Sequence, residues 1–186
     1  MVLAEIASTF NELLLLDYLL ENESDPKVKA SLIKRQLEDA LNLLFRQTTI
    51  SRLEEDIHGR ITDNTIDRDW LNEKWMDWYK ELGGDAVEIL PEHQYDWARI
   101  SHIFFKPFYC YNYCLSYTIS LACYLKYKDE GSSFVPHFKK LLATGGSKSP
   151  VEALKVVGID LTDPAVIENA LNYNRNLFVR LKETGQ

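Results

Sequence analysis

One apolar segment is too long for a buried strand and carries an unusual set of polar rings. It begins as HIFFKPFYCYNYC at residues 102–114, and its apolar character continues to Leu125. A tyrosine at every second position is typical of a strand, but an apolar run of this length favours a helix. Proline is tolerated in the first turn of a helix, where its missing N–H has no partner in any case. The sequence therefore predicts a helix from about Pro107 to Lys126, with His102 just before it on a different segment or beyond a kink.

The three tyrosines of this segment are Tyr109, Tyr111 and Tyr113. Buried tyrosine hydroxyls require hydrogen-bond partners, so several of them beside one imidazole indicate a wet cavity rather than a dry core. On one continuous helix His102, Tyr109 and Tyr113 would share a face, since seven and eleven residues are near-integral numbers of turns. Tyr111 would point the opposite way. A break before Pro107 would loosen this inference, and a tyrosine-rich core helix is the alternative.

Helix start and stop signals recur along the rest of the chain, and no segment has a convincing strand pattern. The start signals are Asp25-Pro26, Thr65 or Asp67, Ser149-Pro150 and Thr162-Asp163-Pro164. The helix that starts at Pro26 is predicted to run to about His58, with Gly59 stopping it. No repeat or linker divides the 186 residues. We therefore expect an all-α fold of about seven helices in a single domain over residues 1–186.

Composition excludes several classes of function. A net charge of −7 argues against a nucleic-acid-binding surface. No apolar run approaches the length of a membrane span. All three cysteines lie within one apolar segment, and Cys110 and Cys114 are four residues apart on one predicted helix, which is poor geometry for a disulfide. Buried free thiols in a reducing cytoplasm are the expected state.

Two glutamates lie seven residues apart in the first predicted helix, which covers about Ala4 to Leu20. Glu5 and Glu12 are two turns apart and therefore share one face of that helix. Judged from the residues alone, this pair is a solvated stripe on the helix surface.

Three blocks together resemble the oligoendopeptidase F group of the thimet-type zinc oligopeptidases. EIASTFNELLL at residues 5–15 is similar to the family helix that supplies the third zinc ligand. HIFFKPFYCYNY at residues 102–113 is similar to its histidine–tyrosine segment. FKKLLATGGSKSPVEALKVVGIDLTDP at residues 138–164 is similar to its C-terminal signature. The order and spacing of the blocks fit, and the resemblance covers nearly the whole chain.

The chain departs from the family pattern in one respect: it contains no HExxH motif. In the family the HExxH helix lies upstream of the block that begins at Glu5. The resemblance therefore implies the C-terminal helical half of a zincin-like oligopeptidase, cut between the second and third zinc ligands. It assigns Glu5 as the third ligand of Zn²⁺ and makes Glu12 a candidate to orient a histidine ligand from the missing helix.

The resemblance also assigns substrate chemistry to the aromatic segment. Imidazole and phenol donors would stabilise the negative charge that develops on the peptide carbonyl oxygen, the oxyanion, during hydrolysis. The strongest candidates for this role are His102 and Tyr109, followed by Tyr113 and then Tyr111. The implied activity is zinc-dependent endoproteolysis of short peptides. With one of three ligands, this chain alone is expected to be inactive and to hold no zinc tightly.

The expected partners are a peptide substrate and the missing HExxH half, in cis or in trans. Self-association through apolar surface that the missing half would cover is a further expectation. The alternative is a non-catalytic helical module that binds peptides or another protein.

Overall fold

The computed structural model describes residues 3, 5–61 and 65–184. The described residues contain nine α-helices and no strand, so the predicted all-α fold is confirmed. The helices are α1 (Ile6–Asn22), α2 (Pro26–Ala40), α3 (Gln47–Ile61), α4 (Arg68–Gly83), α5 (Ser101–Phe105), α6 (Tyr111–Glu130), α7 (Val135–Thr144), α8 (Pro150–Leu154) and α9 (Ala165–Glu183). Ala4, the predicted start of the first helix, lies outside the described residues.

Helix starts follow the local capping chemistry. The Asp25 side chain accepts a hydrogen bond from the Lys27 N–H at 2.8 Å, with Pro26 as the first residue of α2. The Asp67 side chain accepts from the Trp70 N–H at 2.9 Å. Each cap satisfies a backbone donor that has no partner within its own helix.

The second predicted helix continues further than expected and changes form on the way. A π-helical segment, Leu41–Arg46, joins α2 to α3, and α3 passes Gly59 and ends at Ile61. The predicted stop at Gly59 was wrong, because glycine lowers helix stability by only about 1 kcal/mol and does not by itself end a helix. The π segment and the short α5 account for nine helices where about seven were expected.

The described chain forms two compact units. The first comprises residues 1–41 with 115–186, and the second comprises residues 42–114. In the first unit Leu16, Leu20, Ile33 and Leu177 form an apolar cluster between α1, α2 and α9. The prediction of a single domain stays a prediction.

The core of the second unit is built around Trp75 on α4. Its side chain is 0% exposed and packs with Ile50, Leu53, Ile100 and Cys110. Its indole N–H donates to the His93 carbonyl oxygen at 3.0 Å, which ties α4 to the 3₁₀ segment Pro91–Arg99. This core supports α5 and the start of α6, where the predicted aromatic residues lie.

None of the described helices is long and apolar enough to cross a membrane. None of the three cysteines forms a disulfide, and Cys110 and Cys123 are buried while Cys114 is partly buried. Burial raises the pKa of Cys123 to about 12, which keeps that thiol protonated and unreactive at neutral pH.

Candidate functional site

Three of the predicted aromatic residues meet in the second unit. The rings of His102 and Tyr109 stack with centroids 5.4 Å apart and planes 12° from parallel. Tyr113 meets both of them edge-on, at 6.1 Å from His102 and 5.3 Å from Tyr109. All three side chains are partly buried. We call His102, Tyr109 and Tyr113 the aromatic cluster.

Tyr111 is not a member of this cluster. It is the first residue of α6, and its side chain is 45% exposed. Tyr113 follows Tyr111 by two positions on α6, which directs the two side chains to different faces of that helix. The geometry thus separates Tyr111 from the other three predicted residues.

The chain between His102 and Tyr109 does not have the predicted conformation. His102 lies on α5, and α6 begins at Tyr111 rather than at Pro107. The prediction of a helix start at Pro107 was wrong because Phe108 has φ of +55°, in the left-handed region, and a right-handed helix cannot pass through it. The sequence analysis allowed for a break before Pro107, and the helix does break there, since α5 ends at Phe105 and the turn extends to Phe108.

The turn residues also contact the cluster. The Tyr109 N–H donates to the Lys106 carbonyl oxygen at 3.1 Å. The Lys106 ammonium lies 5.1 Å from the centroid of the Tyr109 ring, a distance at which a cation is attracted to the ring face. Lys106 therefore adds a positive charge beside the cluster that the sequence patterns did not single out.

Glu54 is the most unusual residue near the cluster, and the sequence analysis missed it. It lies on α3 and is 0% exposed. Its Oε1 accepts a hydrogen bond from the Phe108 N–H at 2.8 Å. Its Oε2 is buried and has no hydrogen-bond partner among the described residues. The signal was present, because Glu54 occupies the inward stripe of α3 between the apolar Ile50, Leu53 and Ile57.

Burial has the largest influence on the pKa of the Glu54 carboxyl group. Desolvation raises its pKa above the ordinary 4.5, while the Phe108 N–H and the nearby His58 and His102 rings act in the opposite direction. Burial, together with Glu54, also raises the pKa of Cys110 to about 11. Cys110 is therefore a protonated thiol at neutral pH and not a nucleophile.

A cavity of about 370 Å³ opens beside the aromatic cluster in the second unit. His102, Tyr113 and Cys110 contribute to its lining. The polar side chains at its other walls are Asn42, Arg46, Gln47, Arg99 and Ser101. The cavity is large enough for a few residues of a bound chain, and its lining offers both charged and neutral donors.

The two predicted carboxylates lie on the first unit. Glu5 immediately precedes α1 and is exposed, and Glu12 is exposed within α1. The Ser8 hydroxyl donates to the Glu5 carboxylate at 3.2 Å and to its carbonyl oxygen at 2.9 Å. Both carboxylates are thus accessible to groups outside this chain.

The described residues do not by themselves fit a zinc site. They contain no group of three or more His, Cys, Asp or Glu side chains that could hold a metal ion. Structural and catalytic zinc sites need at least three protein ligands. A metal at Glu5 would require ligands from outside the described residues.

Two sequence comparisons show which known proteins the chain resembles. The model of Peptidase family M3 matches residues 1–173. The chain is 35% identical to an oligoendopeptidase F homolog of Borreliella burgdorferi over 98% of its own length and 31% of that protein. It is 33% identical to the oligopeptidase PepF of Bacillus subtilis, over 90% of this chain and 25% of that one.

A solved structure shows the same fold. The crystal structure of oligoendopeptidase-F from Enterococcus faecium superposes with a TM-score of 0.91 at 31% identity, covering 98% of this chain and 35% of that chain. The chain thus spans between a quarter and about a third of the length of these three proteins. A family match over nearly all of its residues, with the same helical fold, shows that the chain belongs to peptidase family M3.

Proposed function

We propose that this chain is the C-terminal portion of the catalytic region of a zinc metalloendopeptidase that hydrolyses short peptides. The observation that carries the proposal is the aromatic cluster, in which one imidazole and two phenol rings meet beside a cavity. In this reading His102, Tyr109 and Tyr113 act on the peptide, and Glu5 is one of three metal ligands.

The chain's own chemistry is hydrogen-bond donation. When a peptide carbonyl is attacked, its oxygen gains negative charge, and a donor already aimed at that oxygen stabilises the transition state. One such donor contributes about 3–4 kcal/mol. The stacking of Tyr109 on His102 restricts both rings, so little reorganisation is needed when the charge develops. The general base would come from the HExxH motif, which this sequence lacks.

A second candidate function is a non-catalytic helical module that binds a peptide or another protein. Two neighbouring aromatic side chains beside His102 favour it: Phe104 is 53% exposed and Phe105 is 82% exposed. Exposed apolar surface of this kind marks contact sites. On the peptidase reading, the same surface is covered by the rest of the enzyme or by substrate. A cytoplasmic location stays a prediction on either reading.

The role of Glu5 is tested in a fusion in which the part of the Enterococcus faecium enzyme that this chain does not match precedes residue 1. Glu5→Gln keeps the size of the side chain but removes the negative charge, so it is expected to lower zinc affinity by more than the roughly 10- to 100-fold typical of residues that only orient a ligand. Glu12→Gln should stay within that smaller range. Competition with a chromophoric chelator measures both.

Glu21, which is also exposed on α1, provides the matched control. Glu21→Gln should leave zinc affinity unchanged. Equal affinities for the fusion and its Glu5→Gln variant would show that Glu5 is not a ligand.

A further inference from the structure

Packing in the apolar core does not explain why a glutamate stands at position 54. Its neighbours along α3 include Leu53 and Ile50, which pack in the apolar core of the second unit. One carboxylate oxygen is buried without a partner in the described part of the chain. Buried polar atoms are almost always paired, and an unpaired charged group is costly to bury. Leucine or glutamine would be easier to accommodate here.

The other carboxylate oxygen of Glu54, Oε1, is hydrogen-bonded to the backbone where the chain has an unusual conformation. It accepts the N–H of Phe108, the only non-glycine residue among those described that has positive φ. A bulky residue rarely adopts this conformation without support from its surroundings. The His58 ring lies tilted against the Phe108 ring, with centroids 4.6 Å apart and planes at 35°, and provides a second support.

The Phe108 turn determines where Tyr109 lies. Tyr109 follows Phe108 directly and precedes α6, so the left-handed residue sets the direction in which the chain leaves α5. If Phe108 relaxed to an ordinary conformation, the Tyr109 ring would leave the face of His102. The hydrogen bond from Phe108 to Glu54 therefore lies one residue from the ring that stacks on His102.

We propose that Glu54 is a positioning residue: its buried carboxylate holds the left-handed turn at Phe108 and thereby keeps Tyr109 stacked on His102. The use of that stack for peptide hydrolysis rests on the proposed function. Glu54 itself touches neither substrate nor metal in this account. It acts through Phe108.

Because Glu54 is buried, the stability of the chain is expected to depend on pH. The groups facing Glu54 are His58 on its own helix, His102 on α5 and Cys110 at the start of α6. Because the pKa of Glu54 is raised by burial, the native chain binds its proton more tightly than the unfolded chain does. Stability is therefore lost as pH rises from the ordinary value of 4.5 through the raised value. Glu54→Gln removes this loss.

Two conservative variants separate the hydrogen bond from the charge. Glu54→Gln keeps an oxygen at the same reach and loses the charge, whereas Glu54→Asp keeps the charge and withdraws the oxygen by one methylene. The 186-residue chain, labelled with ¹³C at histidine and tyrosine, is examined by NMR without metal or peptide. Glu55→Gln and Glu55→Asp are the matched controls, since Glu55 is the exposed neighbour on α3.

The stacked Tyr109 ring should displace the His102 ring protons upfield and give cross-peaks between the two rings. We expect Glu54→Gln and both Glu55 variants to retain this pattern and Glu54→Asp to lose it. The Phe108 amide should exchange with solvent about tenfold faster in Glu54→Asp, as expected for loss of a hydrogen bond to a charged group. A folded Glu54→Asp variant with the wild-type pattern would overturn the proposal, as would loss of the pattern in Glu54→Gln.

A second measurement covers the case in which Glu54→Asp fails to fold. The denaturation midpoint of Glu54→Gln should exceed that of the wild type at neutral pH, and the difference should shrink as the pH is lowered toward 4.5. If the two midpoints differed by the same amount at every pH, the stability difference would not come from burying the Glu54 carboxylate. Because neither measurement uses peptide or zinc, a failed peptidase assay would leave the positioning role intact.

Discussion

Replacing Tyr109 with Phe in the Enterococcus fusion should lower kcat by about 10²- to 10³-fold while changing KM little. The substitution removes one hydroxyl and keeps the ring, so the stack with His102 survives. An oxyanion donor acts mainly in the transition state, and its loss therefore appears in kcat. Initial rates on a quenched fluorescent peptide give both constants. On the proposed function, His102→Ala should cost at least as much, because it would remove a donor as well as the ring on which Tyr109 stacks.

Tyr111→Phe is the matched control for this prediction. Tyr111 carries the same hydroxyl on the same segment but is 45% exposed and lies outside the aromatic cluster. Its loss should change kcat by no more than a few-fold. If Tyr109→Phe and Tyr111→Phe had equal and small effects, the cluster would be a packing feature and not a set of donors.

Trp75→Ala should destabilise the chain by about 3–5 kcal/mol, the largest effect expected from a core substitution here. The indole is 0% exposed, and its N–H holds the His93 carbonyl oxygen at 3.0 Å. The variant loses apolar contacts, leaves a cavity and strands a carbonyl acceptor. Urea denaturation followed by circular dichroism measures the difference.

Trp70 on the same helix provides the comparison. Trp70 is only partly buried and lies under the Arg60 guanidinium at 4.8 Å. Trp70→Ala should cost about 1–2 kcal/mol, from lost partial burial and one exposed cation–π contact. Equal costs for the two substitutions would mean that Trp75 is not the centre of the core of the second unit.

The features that could be predicted from sequence are those fixed by local chemistry. Asp25 and Asp67 cap their helices through hydrogen bonds that span two and three residues, so the signal lies within the segment itself. An apolar stripe on α4 is likewise visible in the sequence as Leu71, Trp75, Trp78 and Leu82, and Trp75 lies in the core. Such patterns depend on neighbours within one helix, which a single sequence shows directly.

The turn at Phe108 could not be predicted in this way. The Phe108 N–H donates to Glu54, which lies 54 residues earlier in the chain, and no pattern within the tyrosine segment shows that contact. The predicted common face of His102, Tyr109 and Tyr113 assumed one continuous helix. The three rings do meet, but across a non-helical turn. The three residues are close together, as expected, but a shared helix face is not the reason.

The central claim is that this chain supplies only part of a peptidase site. The most direct test measures zinc-dependent cleavage of a quenched fluorescent peptide by three samples: this chain, the part of the Enterococcus enzyme that it does not match, and the fusion of the two. We expect turnover from the fusion only. Zinc-dependent turnover by this chain alone, or none from a folded fusion that binds zinc, would contradict the account.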